Sequence, residues 1–434
     1  TGVQTCALPI LFTKLINFQM SKLKISEDWT STIVGWFIIL LVVFQLKPHW
    51  PSFSWPDADA LMNKIFTLDN VGHALIVFCF MFLMALIAGL FTGKKLKMIV
   101  ASFPVVFFLT LLAMVVGGNK FLKDWGFETV IFSLLIGLFI SNIFSIPKWL
   151  KESLSSELFV KIGLVLLGTT VLFDDLLKAG ALGLIQSCVV VFTVWNFCFW
   201  LCRKMKIDKE MSLMLSSAVS ICGVSADVAT AGAIKGDKTK LSYVVSLVLV
   251  VAVPMILIMP GLAKLMGLPE DMAGAWIGGT IDTTGAVAAT GAIYGEVALQ
   301  TSTIVKFSQN VLLGVAAFLI SIYWSYSKKE VTEEKPTLKV IWLRFPKFVL
   351  GFVAASLVFS FCVAPEVVSD AKPILKNIQG MWFALAFMSI GLETDFKSLI
   401  TSENRRSTYA FLGAQAFNVV FTLLVAWILF GLIA

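Results

Sequence analysis

A run rich in glycine and threonine lies deep in a hydrophobic part of the chain, from Trp276 to Gly295. It carries five glycines, four threonines and a single carboxylate, Asp282. A helix that faces lipid has no use for this composition, because glycine weakens a helix and polar side chains need partners where water is scarce. The run therefore predicts a helix that is interrupted near the membrane midplane, with backbone groups available to a ligand.

A second run, from Ser216 to Gly236, has the same character and also holds one carboxylate, Asp227. The ends of the two runs can be aligned: residues 229–236 read ATAGAIKG and residues 288–295 read AATGAIYG. We expect the rest of the chain to hold these two segments in a bilayer. If both cross it, they run parallel; otherwise one of them re-enters, or the likeness reflects only small-residue composition.

An interrupted helix offers two kinds of backbone group to a ligand. Free N–H groups at the start of one half suit anions, whereas free carbonyls at the end of the other half suit Na⁺ or protons. The predicted breaks are at Gly223, Ser225, Gly278, Gly279 and Thr280. The hydroxyl groups that could contact an oxyanion belong to Ser220, Ser225, Thr280, Thr283 and Thr284. The competing interpretation is that the small residues only permit close helix packing.

The two intramembrane carboxylates are the candidates for coupling to an ion. An ionised carboxylate at the centre of a membrane helix costs about 2.5–3.5 kcal/mol on insertion scales, so Asp282 must be neutral, paired or ion-bound. Each of these states suits coupling to H⁺ or Na⁺, and Asp227 is the second candidate. The alternatives are structural: Asp282 could cap the helix that follows it, and Asp227 could lie near water beside Lys235 and Asp237.

One lysine, Lys306, lies inside the tenth apolar span, and Gln309 continues its polar face. A buried ammonium needs a carboxylate or an anion. We therefore predict either a salt bridge from Lys306 to Asp282 or Asp227, or direct contact with substrate. Near a span end, the side chain could instead reach the interface by snorkelling.

The composition is that of a polytopic helical membrane protein. The 434 residues are 58% hydrophobic and only 14% charged, with a mean hydropathy of +0.90. Because lipid cannot hydrogen-bond the backbone, the apolar runs must be helices or a closed barrel, and their lengths without alternation favour an all-α fold. The net charge of +7 comes from basic loops, which topology explains without nucleic acid.

Motifs for cofactors and metals are missing from the sequence. It has no glycine-rich nucleotide loop and no haem or flavin signature, which argues against a primary pump and predicts no cofactor. The two histidines, His49 and His73, form no ligand cluster, so no metal site is predicted. The seven cysteines are predicted to be unpaired, buried small residues. No catalytic dyad lies in the spans, so we expect no enzyme activity.

Thirteen apolar spans organise the chain. They cover 29–46, 71–93, 98–116, 127–146, 158–178, 180–202, 211–235, 241–266, 273–295, 298–326, 345–364, 378–396 and 408–433. We divide the chain into a head (1–28), three leading spans (29–116) and a transporter domain of about ten spans (127–434). Within the head, residues 1–19 read as translated sequencing adapter, and Met20 is the expected start.

Basic residues predict the orientation. With the amino end in the cytoplasm, 22 of the 34 Lys and Arg residues fall in cytoplasmic segments. This bias favours thirteen crossings of a bacterial plasma (inner) membrane, with the carboxyl end outside.

A weak internal match links the ends of two spans. Residues 168–176 (GTTVLFDDL) match residues 391–399 (GLETDFKSL) in glycine, phenylalanine and leucine. The copies lie seven spans apart and would face opposite ways, which predicts an inverted-topology repeat of the kind found in secondary transporters. The acidic residues in the two copies are interpreted as solvated helix ends: Asp174, Asp175, Glu393 and Asp395.

Three segments resemble a bacterial membrane-protein family named for sulfate export: SICGVSADVATAGAIKG, the Trp276–Gly295 run with IVKFSQNVLLG after it, and SIGLETDFKSL. The likeness runs from about residue 127 to the end, and is specific at ICGxSA (221–226) and IVK (304–306). More distantly, the chain is similar to the superfamily of bile-acid/sodium symporters and cation–proton antiporters. That resemblance implies two interrupted helices that cross beside the substrate.

The chain also departs from the pattern that it resembles. Many relatives carry a His-Glu pair where this chain has Asp282 and Thr283, and an arginine where it has Gln309. A mechanism that depends on those side chains does not carry over to this chain.

Three functions are compatible with these features. The first is a secondary transporter of a small anion, such as the oxyanion sulfate, in which Lys306, helix ends and hydroxyls hold the anion and Asp282 carries H⁺ or Na⁺. The second is a cation/proton antiporter that uses Asp227 and Asp282 directly. The third is an intramembrane enzyme or a membrane sensor without flux. The expected partners are the lipid bilayer, the anion and the coupling ion, and a homodimer is left open.

Overall fold

A computed structural model describes residues 25–124, 129–328, 339–394 and 405–433. These residues form helices and no β-strand, which confirms the all-α fold class. Within these described ranges, six helices are long and apolar enough to cross a membrane: Leu68–Thr92, Leu96–Gly117, Phe173–Lys204, Lys238–Leu265, Glu296–Trp324 and Arg405–Leu432. Large apolar side chains such as Phe108 and Phe192 are exposed on their flanks, as lipid contact requires. The chain is an integral membrane protein with multiple spans.

The principal helices are numbered in chain order. The first six are α1 (Glu27–Val43), α2 (Leu68–Thr92), α3 (Leu96–Gly117), α4 (Thr129–Ile143), α5 (Ser156–Leu167) and α6 (Phe173–Lys204). The next six are α7 (Lys209–Ser217, continued by a π-turn over Ala218–Cys222), α8 (Val224–Ile234), α9 (Lys238–Leu265), α10 (Glu270–Thr280), α11 (Thr284–Tyr294) and α12 (Glu296–Lys328). The last three are α13 (Lys347–Phe361), α14 (Pro365–Glu393) and α15 (Arg405–Ala426, continued by a π-helix over Trp427–Ile433). Short helices lie between them at Ala58–Ala60, Leu61–Ile65, Lys120–Asp124, Lys148–Ser153 and Lys339–Arg344.

Polar contacts at the helix ends define two opposite faces. On the first face, Lys161 near the start of α5 forms ion pairs with Asp28 (3.1 Å) and Glu27 (3.6 Å) at the start of α1. The backbone N–H of Lys347, where α13 begins, donates to the Asp28 carboxylate at 3.0 Å. Three helices therefore begin together on this face.

The second face holds the opposite ends of these helices. An ion pair joins Lys47, just after α1, to Asp370 near the start of α14. A second ion pair, at 2.5 Å, joins Lys376 of α14 to Glu296, the first residue of α12. Helix α14 therefore begins on the second face, and α12 begins beside it.

The first glycine-rich run forms a re-entrant hairpin, which we call hairpin 1 (α7 and α8). Glu210, at its start, accepts a hydrogen bond from the backbone N–H of Asp237, at its end. Lys240 in α9 bridges Asp208 at 2.8 Å and Glu210 at 3.0 Å. Both ends of the run therefore lie on one face. It is the first face, because a Cβ added to Gly232 would lie 3.2 Å from the guanidinium of Arg344, which precedes α13.

The second glycine-rich run forms hairpin 2 (α10 and α11), which is also closed by a glutamate at its start. Glu270, at its start, accepts hydrogen bonds from the backbone N–H groups of Val297 (2.9 Å) and Ala298 (3.3 Å), where α12 begins. The Tyr294 hydroxyl donates to the carbonyl of Leu268 at 2.5 Å. Hairpin 2 thus enters and leaves on the second face. In both hairpins the clasping glutamate lies 27 residues before its first N–H donor.

These contacts correct the expected topology. The sequence predicted two interrupted helices that cross the membrane, but each glycine-rich run returns to the face from which it came. Helix α9, 28 residues long, connects the mouth of hairpin 1 to the mouth of hairpin 2 on the opposite face. The two hairpins therefore approach each other from opposite sides. The predicted crossings at 211–235 and 273–295 are therefore wrong, because both ends of each run lie on one face.

Asp208, at the mouth of hairpin 1, lies in the loop between α6 and α7. Burial alone would raise the pKa of Asp208, but hydrogen bonds from Lys240 and from the Met211 N–H outweigh it and hold that pKa below its usual range. The Asp208 carboxylate therefore stays charged at neutral pH.

Glycines in hairpin 2 pack against a neighbouring helix. A Cβ added to Gly274 would lie 2.7 Å from the carbonyl oxygen of Ala298, and one added to Gly278 would lie 2.4 Å from that of Ser302. Helix α10 therefore runs alongside α12 in close backbone contact. The predicted break at Gly278, Gly279 and Thr280 is wrong for this reason, since all three are helical and the chain unwinds only after them.

The leading helices are packed into the same body as the rest. A Cβ added to Gly35 of α1 would lie 2.6 Å from Val165 of α5, and the Trp36 indole donates to the carbonyl of Gly351 at 3.2 Å.

None of the six described cysteines forms a disulfide bond. Cys198, Cys202 and Cys222 are buried, as predicted. The prediction of burial is wrong for the other three, which are exposed: Cys79, Cys188 and Cys362.

The two copies of the predicted repeat end helices that run in opposite directions. Helix α5 leaves the first face and ends before Gly168, whereas α14 leaves the second face and contains Gly391. That arrangement is what an inverted repeat needs, and the repeat itself stays a prediction. Its second copy is only partly described, because residues 395–404, with Asp395, lie outside the described residues, as do residues 1–24 of the head.

Candidate functional site

The tips of the two hairpins meet. Hairpin 1 turns at Gly223, which has φ 57° and ψ −109°, a conformation that side chains disfavour. A Cβ at Gly223 would lie 2.6 Å from Val248 and 3.2 Å from the Cβ of Asp282, at the tip of hairpin 2. Three of the four arms are 11 residues long and the fourth, α7 with its π-turn, is longer. An arm of this length reaches roughly 16 Å, about half the hydrocarbon thickness, so the tips meet near the midplane.

The incoming arms present carbonyl groups at the tips, and Lys306 caps them. Its ammonium donates to the carbonyls of Ile221 (2.6 Å) in hairpin 1 and Ile281 (2.8 Å) in hairpin 2, and to the Gln309 Oε1 at 2.9 Å. The side chain is fully buried. Because the carbonyl end of a helix carries partial negative charge, this ammonium neutralises two helix ends at once.

Amide side chains cap the remaining carbonyls. Gln309 donates to the carbonyl of Gly279 at 3.0 Å, and Gln415 donates to that of Thr280 at 2.9 Å. Asn418 contacts both hairpins, because its amide lies 3.2 Å from the carbonyl of Val219 and 3.2 Å from that of Thr280. The carbonyl side of the junction is therefore closed by the chain itself.

The outgoing arms present their amino ends at the same junction. Thr283 caps α11, accepting a hydrogen bond from the N–H of Ala286 at 3.3 Å. The Thr284 hydroxyl accepts from Asn310 at 3.2 Å. Ser225, in the first turn of α8, is exposed, and Thr283 and Thr284 are half-buried. The amino side of the junction is therefore less buried than the carbonyl side.

Two carboxylates lie buried beside the junction. Among the described residues, both carboxylate oxygens of Asp227, in the first turn of α8, lack a hydrogen-bond partner, and so does Oδ2 of Asp282. The predicted salt bridge is wrong: within the described part of the chain, Lys306 pairs with carbonyls and an amide and with neither carboxylate. Asp282 also does not cap α11, since Thr283 occupies that position.

Three other predicted site residues differ in the contacts that they make. The Ser220 hydroxyl donates to the carbonyl of Ser216 at 2.7 Å, so its proton is used within hairpin 1. The Thr280 hydroxyl is buried and has no hydrogen-bond partner in the part of the chain that the structure describes. A Cβ at Gly279 would lie 2.5 Å from the amide of Gln186 and 2.7 Å from Thr422, so this glycine serves close packing.

The sequence interpretation missed Gln415 and Asn418 of α15, which cap carbonyl groups of both hairpins. The signal was present, because two amides three residues apart share one face of an otherwise apolar span. Nothing in the sequence linked them to hairpins that precede them by 135 residues or more.

A family model described as conserved hypothetical protein 698 matches residues 97–410, more than half of the chain. The chain belongs to this family. Its relatives are named UPF0324 membrane proteins, and the membership confirms the resemblance that the motifs carried. No solved structure matches the chain.

Three members of the family illustrate the range of similarity. A UPF0324 membrane protein of Rhodopirellula baltica is 38% identical over 351 residues, covering 79% of this chain and 65% of the relative. One of Nitratidesulfovibrio vulgaris is 37% identical, with 79% and 61% covered. One of Nitrosomonas europaea is 26% identical over 438 residues, with 86% and 89% covered. The chain thus spans less than two thirds of the first two relatives.

The positions at which this chain departs from the resembled pattern lie together at the junction. Asp282 and Thr283 form the tip of hairpin 2, and Gln309 holds both Lys306 and a tip carbonyl.

Proposed function

We propose that the chain is an ion-coupled secondary transporter of a small anion, with an inorganic oxyanion such as sulfate as the first candidate. The anion binds between the hairpin tips, against the amino ends of α8 and α11. The observation that carries this proposal is the separation of helix ends at the junction: the carbonyl ends are capped, and the amino ends are less buried.

Electrostatics supports an anion at this position. The amino end of a helix carries roughly half a positive charge, and two such ends converge at the tips. The opposing carbonyl ends do not cancel them, because Lys306 and the amides of Gln309, Gln415 and Asn418 already satisfy those carbonyls. The hydroxyls of Ser225, Thr283 and Thr284 can add donors for oxyanion oxygens.

This assignment gives Lys306 a different role from the one that the sequence indicated. The ammonium holds the carbonyl ends and contributes positive charge to the junction without needing direct contact with the anion. Alternating access follows from the geometry, since each hairpin belongs to one face and can open toward that face by moving away from the shared tip.

A specific observation favours a second candidate, a cation/proton antiporter. Asp227 and Asp282 place carboxylate oxygens without donors beside the junction, and such groups suit the binding of a proton or a metal cation. In the anion transporter, the same carboxylates carry the coupling ion, with Asp282 as the first choice because it lies at the tip.

Transport by the purified protein in liposomes separates the candidates. We expect uptake of labelled sulfate, or of a related oxyanion that competes with it, driven by an imposed pH or Na⁺ gradient. Asp282→Asn should remove the response to the gradient while leaving expression and folding intact. Proton movement driven by a cation gradient, with no anion flux, would overturn the proposal in favour of the antiporter.

A further inference from the structure

A cation position lies between the hairpin tips, and a side chain of the protein occupies it. Three oxygens converge there: the carbonyls of Ile221 and Ile281 and the side-chain oxygen of Gln309. All three lie 2.6–2.9 Å from the ammonium of Lys306. Unwound carbonyls at helix ends are the groups with which secondary transporters bind a coupling Na⁺.

We propose that the ammonium of Lys306 is a built-in cation that takes the place of a coupling Na⁺ between the tips, so that the protein functions without Na⁺. This inference rests on the proposed function, because a coupling ion exists only if the protein is an ion-coupled transporter. It also makes a separate claim, which is that no free cation is needed to hold the two hairpin tips together.

The charge and packing of the junction support this assignment. Two carbonyl ends with roughly half a negative charge each are balanced by one ammonium. The Lys306 side chain is only 1% exposed, so the ammonium is enclosed at this position. Moving the ammonium away would leave the carbonyls of Ile221 and Ile281 buried and unpaired, which is costly in a site from which water is excluded.

The assignment also bears on where a coupling ion binds. The ammonium is held by neutral oxygens, and within the described residues it forms an ion pair with neither Asp282 nor Asp227. The two carboxylates are then left for the coupling ion. Within this proposal they carry H⁺, so that Na⁺ is needed at neither position.

Thermal unfolding of the detergent-solubilised full-length protein tests the inference without any anion substrate. The wild-type protein should have the same Tm in NaCl, KCl and choline chloride at equal ionic strength. A rise in Tm that is specific to Na⁺ would overturn the inference. Because this measurement involves no transport, its outcome is independent of whether sulfate moves across a membrane.

Two substitutions at Lys306 provide the matched comparison. Lys306→Ala removes the ammonium and leaves space beside three oxygens, so its lowered Tm should recover by about 2–4 °C as Na⁺ or K⁺ saturates the vacated position. Lys306→Met fills the same space without charge and should show no cation response. Equal responses of the two variants would overturn the inference. If Lys306→Ala does not fold, the Tm of the wild-type protein in the three salts still tests the inference.

Discussion

Gly223 turns hairpin 1 back on itself. A break at this glycine was predicted from a run of small residues inside an apolar span, and the structure shows the turn there with φ 57°. The same logic failed in hairpin 2, where Gly278 and Gly279 pack against other helices and the chain unwinds at Ile281. Local sequence cannot separate glycine used for turning from glycine used for packing, since the difference lies in a partner far along the chain.

Substitution of Gly223 by alanine should destabilise the protein strongly. The backbone conformation costs a side chain about 1–3 kcal/mol, and the new Cβ would also meet Val248 and Asp282. Thermal unfolding in detergent measures the effect. The control is Gly261→Ala in α9, where a Cβ meets nothing within 4 Å and alanine favours the helix by about 1 kcal/mol. Equal Tm values for the two variants would contradict the assigned geometry.

The sequence identified the two glycine-rich segments, but it did not show that each of them folds into a hairpin. Each glycine-rich run is long enough to cross a bilayer, so length and hydropathy could not distinguish a crossing helix from two short arms. The deciding contacts are made by Glu210 and Glu270, ordinary acidic residues at helix starts whose partners lie 27 residues away. These glutamates close each hairpin at its mouth.

Glu270→Ala should loosen hairpin 2 selectively. It removes the acceptor for the first N–H groups of α12, a loss comparable to that of a helix cap, at about 0.5–2 kcal/mol. Hydrogen exchange should accelerate over residues 268–298 and stay unchanged over 208–240. Asp271→Ala, which alters the adjacent carboxylate, is the control. Uniform acceleration of both hairpins would contradict the role of Glu270 as a clasp.

The clasp of hairpin 1 should respond to pH. The lowered pKa of Asp208 means that its contribution is fully present above about pH 4 and is lost as pH falls toward the native value. Lys240→Met removes the ammonium that donates to Asp208. The Tm difference between wild type and Lys240→Met should therefore be constant above about pH 5 and shrink in stronger acid. A difference that already varies near neutral pH would contradict this assignment.

At the scale of the whole molecule, re-entry changes which loops share a side of the membrane. Lys235, Lys238 and Lys240 move to the face that holds the amino end of α1, and Lys264 moves to the opposite face. This change strengthens the bias of basic residues toward the predicted cytoplasmic side. The bias calculated for thirteen crossings did not reveal the error. Replacing two crossings by two re-entrant hairpins changes the number of crossings by an even number, so both chain ends stay on their predicted sides.

Labelling of single cysteines by an impermeant thiol reagent tests this topology. In a cysteine-free background, Lys238→Cys should label from the same side as Lys206→Cys, and Lys264→Cys from the same side as Lys376→Cys. All four positions are exposed. Thirteen crossings would place residue 238 on the side opposite 206, and residue 264 on the side opposite 376. Labelling in that pattern would refute the re-entrant hairpins.

The central claim is that an anion binds between the hairpin tips, at the amino ends of α8 and α11. The most direct test is protection of a cysteine at Ser225, the exposed tip residue, in a cysteine-free protein. Sulfate should slow thiol labelling of Ser225→Cys at a concentration that saturates transport, and should leave Lys238→Cys at the hairpin mouth unaffected. Labelling of Ser225→Cys at the same rate with and without sulfate, in protein that transports sulfate, would contradict the claim.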